Sequence, residues 1–172
     1  LPRAVEAAEE AFRRDPARPD FQNTLGKLLM DSGNFVRAEP LLRRAADNPL
    51  YREAYKARTA LGLMQLHRGD KVRAEQEFSL AISSNGQLAC GAYFERGKIR
   101  LEGSRPASAI QDLENSSHRF CGGKPEADLI LGDAYVRSNQ VDRARKKYLS
   151  IQQLYPETAE AKQALEKLRM LP

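Results

Sequence analysis

The sequence predicts an all-α, right-handed superhelical solenoid of helix–turn–helix repeats, closed by a C-terminal capping helix. Three observations predict it. The segment LGKLLMDSGNFVRAEPLLRRA, residues 25–45, returns as LGLMQLHRGDKVRAEQEFSLA, residues 61–81. The apolar residues of both fall at helical spacing. Glycines at 26, 62, 97 and 132 stand 36, 35 and 35 residues apart, and a fixed period of this length is the mark of stacked repeats.

With Gly26 as the ruler, the rest of the pattern aligns. Twelve residues after each glycine comes Ala38, Ala74, Ala109 or Ala144. Sixteen after it comes a large residue, Leu42, Phe78, Leu113 or Tyr148, and nineteen after it Ala45, Ala81, Ser116 or Ile151. A glycine inside a helix costs about 1 kcal/mol relative to alanine. The cost is offset if the glycine sits where a second helix approaches too closely for a Cβ, with a large side chain filling the space opposite. Each unit is then a helix A packed antiparallel on a helix B. Helix A is expected near 19–32, 55–68, 90–103 and 125–138, and no strand is expected anywhere. Gly33 and Gly69 fall between the helices, where a C-cap admits positive φ. Turn residues separate the units: RDPARPD at 14–20, DNPL at 47–50, SSNG at 83–86, CGGKP at 121–125 and LYPET at 154–158. The third unit is the weakest, with Arg96 where the others have leucine before the glycine.

This pattern resembles the tetratricopeptide repeat, a helix–turn–helix unit of about 34 residues. The clearest match is LGDAYVRSNQVDRARKKYLSIQQLYP, which carries Leu131, Gly132, Tyr135, Ala144, Tyr148 and Pro156 in register. The ends keep the same register. Ala4, Ala8, Ala11 and Pro16 have the spacing of a helix B, so residues 1–18 are the second half of a truncated repeat. Full repeats follow at 19–54, 55–89, 90–124 and 125–158. Residues 159–172 form a lone helix A, the polar-faced cap that closes a repeat array. The expectation is a single solenoid over residues 1–172.

The bulk properties exclude other classes. In 172 residues, 30% are charged, the mean hydropathy is −0.61 and the net charge is +5. Lysines and arginines alternate with carboxylates, as in RAEQE, which describes a solvated helical surface rather than a nucleic-acid module. No apolar run approaches the roughly 18 residues that span a membrane. The chain starts Leu1-Pro2 without Met, and no signal or lipidation motif is visible, so it is silent on targeting. His67 and His118 lie in different units with no ligand cluster, and His67 is expected at a helix end. CGG at 121–123 is not followed by the Lys-Ser/Thr of a phosphate loop. No Ser/His/Asp set can be assigned. A non-enzymatic protein with no metal and no cofactor is expected.

Cys90 opens a helix A and Cys121 lies just past the helix B of the same unit. Both therefore fall at one end of a hairpin, within reach of disulfide geometry. The alternative is a pair of buried thiols. A bridge would add roughly 3–4 kcal/mol on the chain-entropy model, would brace the weakest repeat, and would favour an oxidising compartment such as the periplasm.

In tetratricopeptide domains one set of helix A positions faces the concave groove. Here those positions are Asn23, Lys27, Met30, Thr59, Leu63, Leu66, Phe94, Lys98, Leu101, Leu129 and Val136. Seven of the eleven are apolar, and an exposed apolar strip marks a binding surface. The ligand it implies is an amphipathic helix or an extended segment with apolar anchors. The carboxylate clamp of some family members needs Lys ahead of Asn by one turn. Asn23 and Lys27 have the reverse order, and only in one unit.

Two longer segments narrow the resemblance. NPLYREAYKA, ahead of the second full repeat, and the ending LGDAYVRSNQVDRARKKYLSIQQLYPETAEAKQAL are similar to the type IV pilus biogenesis lipoproteins, or pilotins, of the PilF/PilW/Tgl kind, some of which carry the cysteine pair. That family implies a lipid-anchored protein on the periplasmic face of the outer membrane. It implies binding of secretin subunits through an apolar segment, promotion of secretin assembly into the outer-membrane pore, and a role in twitching motility. The anchor would be a lipidated N-terminal cysteine, absent from this chain, and it would be the only membrane contact. Met30, Leu63, Leu66 and Phe94 would hold the secretin segment. The rival reading is a general repeat adaptor for another envelope or cytosolic complex.

Overall fold

The computed structural model describes residues 2–117 and 119–172. Among the described residues there are ten α-helices, a short 3-10 turn at Arg119–Cys121 and no strand. The chain divides into two compact units, Leu1–Ala92 and Tyr93–Pro172. The first holds α1 (Pro2–Arg14), α2 (Pro19–Asp31), α3 (Phe35–Asp47), α4 (Ala54–His67) and α5 (Lys71–Ser84). Each packs on the next, and α2 also touches α4. Most of α6 (Cys90–Glu102) belongs to the second unit, with α7 (Pro106–Ser116), α8 (Pro125–Arg137), α9 (Val141–Leu154) and α10 (Ala159–Met170). There α8 packs on α7 and α9, and α10 lies against both α8 and α9. The expected helix A spans coincide with α2, α4, α6 and α8 to within about a residue, inside the usual scatter of helix ends.

The repeat ruler is the core. Ala38, Ala74, Ala109 and Ala144 are fully buried, as are Leu42, Phe78 and Leu113, and Tyr148 is almost so. A Cβ placed on Gly26 would meet Leu42 Cγ at 2.8 Å, on Gly62 the Phe78 ring at 2.5 Å, and on Gly97 Leu113 Cγ at 2.9 Å. Gly132 faces the Tyr148 ring in the same way. Ala8 is buried against this core while Ala4 is exposed.

The A-to-B turn is the same in every unit. Gly33 and Gly69 have φ of 80° and 79°, and seven residues after Gly97 and Gly132 the positions are Ser104 and Asn139, with φ of 56° and 58°. Each turn closes by a long-range cap bond. Asn34 N donates to the Leu29 carbonyl at 2.8 Å, Asp70 N to Gln65 at 2.9 Å, Arg105 N to Arg100 at 2.8 Å and Gln140 N to Tyr135 at 2.8 Å. These are the bonds that satisfy the last carbonyls of a helix. Asn34 and Asp70 then cap the following helix by accepting from Arg37 N and Arg73 N.

Arg96, the departure in the third unit, has a specific partner. It donates to both oxygens of Asp112 at 2.9 and 2.7 Å, and Arg100 adds a third contact at 3.0 Å. The Asp112 side chain is 2% exposed, so this carboxylate is tenable only because it is fully paired. In the first unit Glu77 is held likewise by Arg43 at 3.2 Å and Arg58 at 3.1 Å. Arg68 donates to Glu39 and holds its carboxyl below the ordinary range.

Replacing Gly62 by leucine drives the new side chain into the Phe78 ring and should cost about 1–3 kcal/mol by chemical denaturation. Gly91→Ala is the control. Its Cβ would meet only Thr59 Cγ2 at an ordinary 3.6 Å, and its stability should stay level or rise. Equal losses in the two variants would show that the glycine is not a packing device.

Three tyrosines give the fold an alkaline limit. Burial pushes the Tyr51 hydroxyl up to about 12, with Asp20 adding to it. Burial raises Tyr135 and Tyr148 further, and their hydroxyls donate to Glu114 at 2.7 Å and to Asp133 at 2.6 Å. A folded pKa above the unfolded value near ~10 means that the folded state holds the proton more tightly. The contribution is complete below about pH 10 and is lost as pH rises through the folded values. The Tm should therefore fall above about pH 10. Tyrosinate absorbance of the folded protein should lag that of the urea-unfolded chain over the same range. Coincident titration curves would refute the burial of these hydroxyls.

Candidate protein-binding groove

The groove of the first unit is built from one face of α2 and one face of α4. Asn23, Lys27 and Met30 recur at helical spacing on α2, and Tyr55, Thr59 and Leu63 do so on α4. Together with Thr24, Leu28, Asp31, Lys56 and Ala60 they line a depression of about 540 Å³, which Leu88 and Ala89 of the α5–α6 connection and Gly91 in the first turn of α6 close. Leu63 is 37% exposed and Leu88 nearly half. The floor is thus apolar, from Leu28, Met30, Leu63 and Leu88, and the margin is polar.

The polar groups differ in how free they are. The Thr59 hydroxyl donates to the Tyr55 carbonyl at 2.7 Å, so its donor is spent within α4. Lys56 donates to Glu53 at 2.6 Å, and this bond raises its pKa. Lys27 is exposed at the rim. The site has one carboxylate, Asp31, against the two lysines. It offers apolar burial with cationic margins, and no acid–base pair or nucleophile converges on it.

Five of the eleven expected groove residues, Asn23, Lys27, Met30, Thr59 and Leu63, come together here. Leu66 is half-buried on α4 and does not line the depression. The other five belong to the second unit. Phe94 packs against that unit's core, with the Lys98 ammonium 4.9 Å from its ring centroid and paired to Glu95 at 3.2 Å. Leu101 and Leu129 differ from the others in burial. Each is 6% exposed and part of the second unit's buried cluster. Arg137 at the end of α8 donates to the Leu101 carbonyl at 3.1 Å. Val136 is 40% exposed and lines a separate depression of about 280 Å³ with Asp133, Lys167 and Met170.

Sequence reasoning missed Leu28, Tyr55, Lys56 and Leu88. Leu28 is one residue from Lys27 and Lys56 one turn before Thr59, and such neighbours are found only if the stripe is taken as wide and long. Leu88 sits in a connection with no periodicity. Both cysteines, Cys90 and Cys121, are disulfide-bonded. His67 ends α4 and stacks on Phe35 with centroids 4.5 Å apart. His118 lies outside the described residues. No group of three or more metal-capable side chains occurs among the described residues, and no helix is long and apolar enough to cross a membrane.

A tetratricopeptide-repeat family profile matches residues 1–49, 23–89 and 94–167. No curated protein gives a significant match. Among solved structures, PilF of Pseudomonas aeruginosa superposes with a TM-score of 0.80 at 19% identity, over 94% of this chain and 72% of that one. PilW, a widely conserved type IV pilus biogenesis factor, gives 0.74 at 17% identity over 93% and 73%. YrrB, a TPR protein with an unusual peptide-binding site, gives 0.76 at 17% identity over 96% and 87%. At these identities the likeness is one of fold. Glycine-spaced helix pairs and a profile match over most of the chain lead to one conclusion: the chain belongs to the tetratricopeptide-repeat family.

Proposed function

We propose that this protein is a non-enzymatic scaffold that binds an apolar segment of a partner, and specifically a pilotin that binds secretin subunits and promotes their assembly in the outer membrane during type IV pilus biogenesis. The observation that carries the reading is the apolar-floored groove on α2 and α4 within a fold shared with PilF and PilW. Burial of leucine-type anchors over Leu28, Met30 and Leu63 would supply affinity, since apolar burial is worth about 25 cal/mol per Å². Lys27 and Lys56 would set the polarity of the flanking residues. A lipid anchor on the precursor and a place on the periplasmic face of the outer membrane belong to the same proposal. The second reading, a general repeat adaptor, draws on YrrB, a fold relative with a peptide-binding site, and needs the same groove with a different partner.

A Cys90–Cys121 bridge and a periplasmic location belong together, because disulfides persist in oxidising compartments. Alkylation followed by mass spectrometry on protein from its native compartment should label neither cysteine before reduction and both after it. Reduction should lower stability by about 3–4 kcal/mol. Two thiols labelled without reductant would remove both the bridge and the compartment.

Leu63→Glu separates the groove from the fold. The side chain is more than one-third exposed, so helical content and Tm should stay near wild type. The charge would be buried without a counter-ion under an apolar ligand segment. Secretin multimers and surface pili should then disappear while the variant still accumulates. Normal multimers in Leu63→Glu would show that the groove is not the working surface. Normal multimers in a strain lacking the protein altogether would favour the adaptor reading.

A further inference from the structure

A second groove, on α1 and α3 of the first unit, is separate from the one on α2 and α4. Its volume is about 580 Å³, and Phe12, Val36, Pro40 and Leu41 supply its apolar lining. Arg13, Arg37 and Arg44 stand around these residues, opposed by one carboxylate, Glu9.

The repeat supplies its own control for this surface. In the register that places Pro40 and Leu41 on α3, α5 has Gln76 and Glu77, α7 has Gln111 and Asp112, and α9 has Lys146 and Lys147. Asp112 and Lys147 pair with helix A of their own repeats, on α6 and α8, and Glu77 reaches both α4 and the preceding helix B. Glu77 of α5 takes Arg43 of α3 at 3.2 Å. On α3 alone the pair is apolar, with Leu41 where the other units carry a charge. Val36, one turn earlier, is 86% exposed. Pro40 lies inside α3 and has no N–H, so the carbonyl of Val36, four residues before it, loses its intrahelical donor. An open acceptor therefore sits at the edge of the groove.

Charge decides what fits. Arg37 is bonded to Glu9 at 2.7 Å and Arg13 to Glu10 at 3.0 Å. Such exposed pairs are weak and exchange readily for a better carboxylate. Arg44 is exposed and, among the described residues, unpaired. We propose that this groove binds an acidic amphipathic segment of a partner protein. Apolar side chains would seat on Val36, Pro40 and Leu41, with carboxylates on Arg44 and Arg37. A basic segment would meet three guanidinium groups, and a second copy of this chain would bring a net charge of +5 against them. The proposal is independent of the pilotin reading, since none of the residues that line this groove lines the one on α2 and α4.

The test uses the full chain and a fluorescently labelled amphipathic helix of leucine and glutamate. Its counterpart has lysine for every glutamate. By anisotropy the acidic peptide should bind and the basic one should not, and binding should weaken with added salt. Val36→Glu and Arg44→Glu, both at exposed positions, should each weaken it by at least about tenfold with unchanged melting curves. Leu63→Glu should bind like wild type. In the wild-type protein the peptide should shift the amide resonances around Val36 and Arg44 and leave those around Leu63 in place, a readout that stands even if a variant folds poorly. Equal binding of the basic peptide, insensitivity to Val36→Glu, or loss of binding in Leu63→Glu would overturn the proposal. So would a concentration-dependent dimer in ultracentrifugation that Val36→Glu abolishes, because the occupant would then be a second copy.

Discussion

Each helix pair is held by a glycine in one helix facing a large side chain from the next. Gly26 with Leu42, Gly62 with Phe78, Gly97 with Leu113 and Gly132 with Tyr148 leave no space for even a Cβ. The contact fixes how near the two helices lie and how they are rotated about their axes. The small residues at Ala38, Ala74, Ala109 and Ala144 follow from that approach, since they are fully buried in the same interface. The rotation in turn determines which faces of α2 and α4 are left for a ligand. The groove on those helices is a consequence of the glycine contacts, even though none of the four glycines lines it.

Charge fills the spaces that the glycine contacts do not specify. One position of helix B holds Glu77, Asp112 and Lys147 in successive units, and all three are paired across to another helix. Buried pairs of this kind contribute little net stability compared with apolar residues of the same volume, but removing one partner is costly. They set register: Asp112 accepts from both Arg96 and Arg100 in one geometry only. The third unit keeps its place in the fold by this substitute for the leucine that the other units carry before the glycine. The first repeat departs in the opposite direction, with Leu41 at the helix B position of Glu77, Asp112 and Lys147, and it is there that an apolar surface opens.

The functional reading combines these two elements. A repeat array offers a rigid surface whose shape is set by packing and whose chemistry is set by residues that packing leaves free. In the first unit those free residues are apolar at the floor and cationic at the margins, which suits a segment of another protein better than a small molecule or a nucleic acid. The fold is common to PilF, PilW and YrrB, so the partner we propose would be selected by side chains such as Lys27, Met30 and Leu63, not by the architecture.

The sequence by itself determined the repeat, the four helix pairs and the buried alanines, because a period of 35 or 36 residues and a helical stripe are local properties that survive without knowing the neighbours. It also determined the positive-φ turns where glycine marks them, at Gly33 and Gly69. Ser104 and Asn139 adopt the same backbone but could not be read, since neither residue type demands it. Burial at the groove positions was a tertiary decision. Met30, Leu66, Leu101 and Val136 share one repeat position four residues after their glycine, yet Leu101 is buried, Val136 is exposed and the other two lie between. The difference comes from what packs beside each one: Leu101 joins the second unit's buried cluster, while Val136 lines an open depression. A periodic pattern tells which face of a helix a residue occupies, and only the assembled neighbours decide whether that face meets protein or solvent.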